Sequence, residues 1–279
     1  MHLNDVDYRE AAYALSLYVQ PATDLEFDPP FISSSDHTPV SMIELGSGAG
    51  LVAVAIANRL KSPDDILIAT DLPEVIYLFC RVTISYNQVC HLLRANLGLR
   101  SIAVRPLAWG NAQHLANLTS EFFTGDRSLT HIICSDLVCR SLLSKIGTKP
   151  RQVYFPDLFA PLLRSLIHLT SRSASETPKI IISYKVRSLS KEMPFWSAFG
   201  LWFEFSPVLA RHKQGSWGRF SPSASDDDDD DDDAVFIFIA RRRPESFQWE
   251  TPINDSELWG IKKGDDTFES LLLMAVEQQ

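Results

Sequence analysis

Residues 39–60 read PVSMIELGSGAGLVAVAIANRL, and three changes of character within them decide the fold. Residues 39–45 form a short apolar run, the length of a buried strand. Gly46, Gly48 and Gly50 then interrupt it, and residues 51–60 resume with apolar positions at helical spacing. A strand, a glycine turn and a helix in that order form the opening half of a βαβ unit. Glycines let the backbone turn sharply and approach a ligand, and the helix that follows offers free N–H groups. The spacing is G-x-G-x-G, with Glu44 two positions ahead. A dinucleotide fingerprint is spaced G-x-G-x-x-G, and a pyrophosphate would be repelled by that acid. A cationic amino-acid ligand would be attracted.

Working outward, the alternation continues. ILIATD (66–71), IAVRPL (102–107), THIICSD (130–136) and KIIISYK (179–185) are further apolar strands. VYFPDLFAPLLRSLIHL (153–169) is a helix with Pro156 near its start, where a missing N–H costs little. REAAYALSLYV (9–19) is a helix, and the Pro/Ser/Asp-rich stretch 21–38 is a loop. FEFSPVL (203–209) and AVFIFIA (234–240) have only a polar loop between them, so they are expected to form an antiparallel pair at the sheet's edge. The expected architecture is α/β: five parallel strands followed by a C-terminal hairpin, with residues 244–279 as a tail holding one helix at 266–276.

Composition narrows the function. The formal charge of −9 owes eight units to the single run Asp226–Asp233, leaving the remainder near neutral. That run, within the loop 221–233, is expected to stay solvated, since adjacent like charges cannot pack. No basic stripe with interleaved aromatics suggests nucleic acid, and Arg241–Arg243 reads as the solvated end of a strand. Cys80, Cys90, Cys134 and Cys139 show neither metal spacing nor a disulfide framework. With no apolar run of membrane-spanning length, a cytoplasmic or nuclear setting is expected, away from membranes.

Three more positions carry chemistry. Asp71 ends the second parallel strand, where a carboxylate can accept both hydroxyls of a ribose, or can cap the helix that follows. Ser135 and Asp136 end the fourth, beside the switch point where open α/β sheets bind ligands. Trp109, after the third, could stack on a purine, although by position alone core packing is the better account.

Together ELGSGAGL, TDLPEV, AWG, SDLV…YFPDL and ISYKVRSLSKE resemble the seven-β-strand protein-lysine methyltransferases. These are the methyltransferase-like group 21 enzymes and the fungal nicotinamide-N-methyltransferase-like proteins. The likeness spans roughly residues 9–243, the expected methyltransferase domain. It implies a Rossmann-like, seven-stranded class I sheet, S-adenosyl-L-methionine as cofactor, and a lysine of a protein substrate as acceptor, with the enzyme acting as a monomer without a metal. Carried over, Glu44, Gly46, Ser47 and Gly48 hold the methionine part of the cofactor, and Asp71 binds its ribose. Trp109 lies against the adenine, Ser135 and Arg9 complete the cofactor site, and Asp136 and Tyr154 orient the acceptor amine. A small-molecule N-methyltransferase, or a cofactor-binding protein with impaired catalysis, would share most of these residues.

The chain departs from the family twice. Residues 75–88 separate TDLPE from VCHLLRANL, and residues 138–152 separate Asp136-Leu137 from Tyr154, breaking the D-x-x-Y motif. Both segments begin with Val and end with Gln, and each is followed by Val. Val codons begin GT and CAG encodes Gln, so both have the borders of retained introns; the alternative is two genuine loop insertions, which α/β folds tolerate on the surface. Relatives carry more sequence ahead of the first helix, so Met1 reads as a late start.

Overall fold

The computed structural model describes residues 10–32, 38–48, 50–76, 102–135, 155–171, 177–220, 235–260 and 265–277. A seven-stranded sheet forms the centre. Its strands are β2 (Ser41–Leu45), β3 (Ile66–Asp71), β4 (Ile102–Pro106), β5 (His131–Ser135), β6 (Lys179–Lys185), β7 (Phe203–Pro207) and β10 (Val235–Arg242). They lie in the order β4-β3-β2-β5-β6-β10-β7. The first five are parallel, each register running forward along its neighbour from Met42↔His131 to Ser135↔Ser183. This is the strand order of class I methyltransferases.

The C-terminal pair is more involved than a hairpin added to an edge. β7 and β10 do pair antiparallel, Ala240 opposite Phe205. However, β10 also pairs antiparallel with β6, Phe236 opposite Tyr184, so the last strand slots into the sheet and only β7 remains at the edge.

Side chains along the central strands alternate between two cores, as the pleat requires. Met42, Leu67, Ile133, Ile181 and Ile237 point to one face, where α1 (Glu10–Val19) and α2 (Leu51–Ala57) cover them with Ala14, Leu15, Val52 and Ile56. Ile43, Ile68, Ile132, Ile182 and Phe238 point to the other. That face is covered by α3 (Ala112–Phe122), α4 (Phe159–Leu169) and α5 (Leu189–Trp202). Residues 155–158, including Pro156, form a 3-10 turn that leads into α4. Pro194, well inside α5, does not end that helix.

A second sheet joins β1 (Leu25–Asp28), β8 (Leu209–His212) and β9 (Gly218–Arg219). β1 runs through the stretch read as loop, and its pairing with β8 places Glu26 opposite Arg211, whose guanidinium donates to it at 2.8 Å. The tail is part of the domain. Its helices α6 (Asp255–Gly260) and α7 (Thr267–Glu277) bury Leu258 and Phe268 in the core beneath α5. The Phe268 ring stacks on Trp196, centroids 4.6 Å apart and planes within 11°.

The arginine cluster differs from its sequence reading. Only Arg241 is exposed; Arg242 is buried, and Arg243 donates to the Gly200 carbonyl at 2.7 Å. Arg242 donates to the Ile167 carbonyl near the end of α4, to Ser171 Oγ, and to both the hydroxyl and carbonyl of Ser246. The rings of Trp202 and Phe247 flank it at 5.5 and 4.8 Å.

The segments read as inserts, 75–88 and 138–152, lie outside the described residues apart from Val75 and Ile76, as does the acidic loop 221–233. Among the described residues no helix is long and apolar enough to cross a membrane.

Candidate functional site

The carboxyl ends of β2, β3, β4 and β5 lie side by side, and the turns that follow gather the residues singled out by the sequence. After β2 the chain turns through Gly46 and Gly48, at φ +73° and +49°, a region that side chains with a Cβ rarely enter. The turn is fixed from β3. Ser47 donates both its N–H and its hydroxyl to the Thr70 carbonyl, at 2.8 and 3.2 Å, and the Thr70 hydroxyl donates to the Glu44 carbonyl at 2.6 Å. Thr70 escaped the sequence reading; its only signal was a small polar residue closing an otherwise apolar strand.

Asp71 is half-buried and touches the same turn. One carboxylate oxygen accepts the Gly48 N–H at 2.8 Å and the other the Leu72 N–H at 2.7 Å. The short helical stretch beyond begins at Pro73, and Ile76 N–H bonds the Leu72 carbonyl. Asp71 therefore lies one residue ahead of the capping position and bonds neither N–H that a cap would take. Burial raises its pKa, while the two backbone N–H groups oppose the rise.

Trp109 has one foot in each of its two expected roles. It packs against the core beneath α3 and α4, yet it is only partly buried, and its outer edge rests on the glycine turn. A Cβ placed on Gly46 would come within 3.2 Å of Trp109 Cζ2. The loop carrying it is tethered on both sides: Ala108 N–H donates to His114 Nδ1 at 3.1 Å and Gly110 N–H to Ser165 Oγ at 2.8 Å.

Glu44 is the unusual member. Met42 faces α1 and α2 while Ile43 and Leu45 face away, so alternation turns Glu44 toward α1 and α2. Its exposure is 0%, and neither carboxylate oxygen has a hydrogen-bond partner among the described residues. Desolvation first, and the nearby Asp71 second, push its pKa up to about 8. The unpartnered carboxyl of Glu44 lies two residues from the glycine turn.

Ser135 ends β5, buried and in register with Ser183 of β6. Two residues further along β6, the Lys185 ammonium meets Glu10 of α1 at 2.8 Å, which ties the start of α1 to this edge of the sheet. Arg9, Asp136 and Tyr154 lie outside the described residues. Among the described residues no group of His, Cys, Asp and Glu side chains could hold a metal ion.

The strand order is that of the Rossmann-like class I methyltransferase fold. Residues 8–143, close to half of the chain, match the lysine methyltransferase family, and the chain resembles the class I protein-lysine methyltransferases on that basis. No curated protein matches its sequence. Among solved structures, it is similar to a predicted O-methyltransferase from Agrobacterium tumefaciens at 13% identity, with a TM-score of 0.42 and coverage of 84% of this chain and 80% of that one. A human methyltransferase 10 domain containing protein gives 10% identity and a TM-score of 0.43 over 83% and 79%. The precorrin-6y C5,15-methyltransferase of Geobacter metallireducens gives 12% identity and 0.34 over 83% and 87%.

Proposed function

We propose that the chain binds S-adenosylmethionine at the carboxyl edge of β2–β5 and transfers its methyl group to the amine of a lysine in a protein substrate. The observation that carries the cofactor reading is Glu44, a fully buried carboxyl with no hydrogen-bond partner among the described residues, directly before a glycine turn. Burying a carboxyl unpaired is costly, and such groups persist where a ligand completes them. The ammonium of an amino acid is a suitable partner. Gly46 and Gly48 let the backbone approach that ligand, and nothing stands within 4 Å of where a Cβ on Gly48 would be. Asp71 keeps lone pairs beyond its two backbone bonds and is suited to ribose hydroxyls. Trp109, held over Gly46, offers a flat apolar wall for a purine.

The bound sulfonium supplies the reactive methyl group; the chain's own residues supply binding, alignment and exclusion of water. A lysine amine has an ordinary pKa near ~10.4 and must be neutral to attack. Asp136 and Tyr154 are the residues assigned to orient it, from the family resemblance. The lysine acceptor rests on that resemblance and on the description of the matched family.

Two measurements test the reading. Asp71→Ala removes a charge-assisted contact worth roughly 1.5–3 kcal/mol, so affinity for S-adenosylhomocysteine in calorimetry should fall at least tenfold. Unchanged affinity removes Asp71 from the site. Incubation with methyl-labelled cofactor and a cell lysate, followed by mass spectrometry, should locate the label on lysine side chains. Label confined to small molecules would replace the protein acceptor.

A further inference from the structure

Glu44 does more than complete a binding surface, because its charge must change when the site fills. Its carboxyl is sealed from solvent and lacks a hydrogen-bond partner among the described residues. The cost of ionising it there is the full desolvation penalty with nothing to offset it. Among the described residues, the groups around it give no relief. β3 presents Asp71, itself an acid, and β5 presents Cys134, a buried thiol whose own pKa Glu44 helps to raise. α2 is made of Leu, Val, Ala and Ile only. α1 carries Glu10, Tyr13 and Tyr18: Glu10 is paired with Lys185 of β6, Tyr13 is half exposed, and the Tyr18 hydroxyl donates to the Pro29 carbonyl.

We infer that Glu44 is a neutral carboxylic acid in the ligand-free protein and gives up its proton when a cationic amino-acid ligand binds, so that cofactor binding releases a proton. The O–H bond of the carboxyl breaks, the proton passes to solvent, and the carboxylate left behind pairs with the incoming ammonium. Nothing is oxidised or reduced. A carboxyl with a pKa near 8 in the empty site is protonated across the neutral range. Affinity for the cofactor therefore rises with pH toward that value and falls again where the ligand's own ammonium loses its proton, an acid-sensitive gate on loading. The inference rests on the cofactor reading proposed above and adds a proton to its stoichiometry.

Titration calorimetry with S-adenosylhomocysteine decides it. At pH 6.5 the ligand's α-amino group is already an ammonium, so any proton released comes from the protein. The same titration in two buffers of different ionisation enthalpy should give heats that differ by close to one buffer ionisation per site bound. Equal heats in both buffers overturn the inference and leave the cofactor reading intact. No binding in either buffer, with no thermal shift by the ligand, overturns both. Glu44→Gln cannot ionise, and it should bind in both buffers with equal heats. If that variant still releases the proton, the source is another group, Asp71 first among them, and the assignment to Glu44 is wrong. The wild-type comparison stands even should the variant fold poorly.

Discussion

Glu44 and Arg242 are both buried ionisable side chains in this domain, and they are buried in opposite ways. Arg242, near the end of β10, donates to four acceptors on two elements and is flanked by two rings. Glu44, near the end of β2, has no hydrogen-bond partner on either oxygen among the described residues. The Arg242 guanidinium closes the carbonyl end of α4 and joins it to the turn at Ser246, which makes it a structural bolt. Its carbonyl partners suit a cation, since the end of a helix carries partial negative charge. The two residues mark two kinds of burial: a cation near the end of β10 whose partners lie within the chain, and a carboxyl near the end of β2 with no hydrogen-bond partner among the described residues. A buried ionisable group whose partners are all internal holds the fold together, whereas a buried carboxyl without partners suits a ligand that supplies one.

The contrast can be tested from its strongest side first. Phe268 lies fully buried against Trp196, so Phe268→Ala leaves a cavity beneath α5 and should cost about 4 kcal/mol in urea unfolding. A loss under about 1 kcal/mol would show that the tail is not part of the C-terminal core. Next, Arg242→Met fills much of the same volume but orphans the Ile167 and Ser246 carbonyls, and should cost about 3 kcal/mol. The loss should be similar at pH 6 and pH 8, because the arginine stays charged throughout.

Near pH 5 the smallest effect belongs to Glu44→Gln, and its change with pH is the signal. The folded ligand-free protein holds the Glu44 proton up to about pH 8, while the unfolded chain releases it near its ordinary value of 4.5. Between those two values the folded state binds more protons, so stability falls as pH rises through the window. Glu44→Gln should match the wild type near pH 5 and lose less stability toward pH 8. Parallel wild-type and variant curves would mean that Glu44 is ionised and partnered after all.

Much of the central sheet was legible because parallel strands buried on both faces are continuous apolar runs, and KIIISYK occupies β6 residue for residue. The strand order around β10 was not. Two successive strands suggest a hairpin, and nothing local in AVFIFIA says that its second edge pairs with β6. β1 was hidden in a Pro/Ser/Asp-rich stretch because its partner β8 lies about 185 positions away, and a four-residue strand carries little pattern of its own. The glycines, Asp71 and Ser135 stand at or just beyond strand ends, as the sequence pattern placed them. Thr70 and Ser165, which brace the glycine turn and the loop of Trp109 through hydrogen bonds to backbone, look like any small polar residue. Arg242 was misread because three adjacent arginines look alike until the pleat sends one of them inward.

The position of β10 also orders events during synthesis. β7 leaves the ribosome before β10, yet its place in the finished sheet is one strand away from β6. Until residue 242 has emerged, β6 and β7 each present an unpaired edge, and pairing them directly would lock the sheet out of its final order. The polar loop before β10 is thus the last pause in which the nascent sheet must stay open, and any chain ending short of Val235 carries two free edges and no means of closing them.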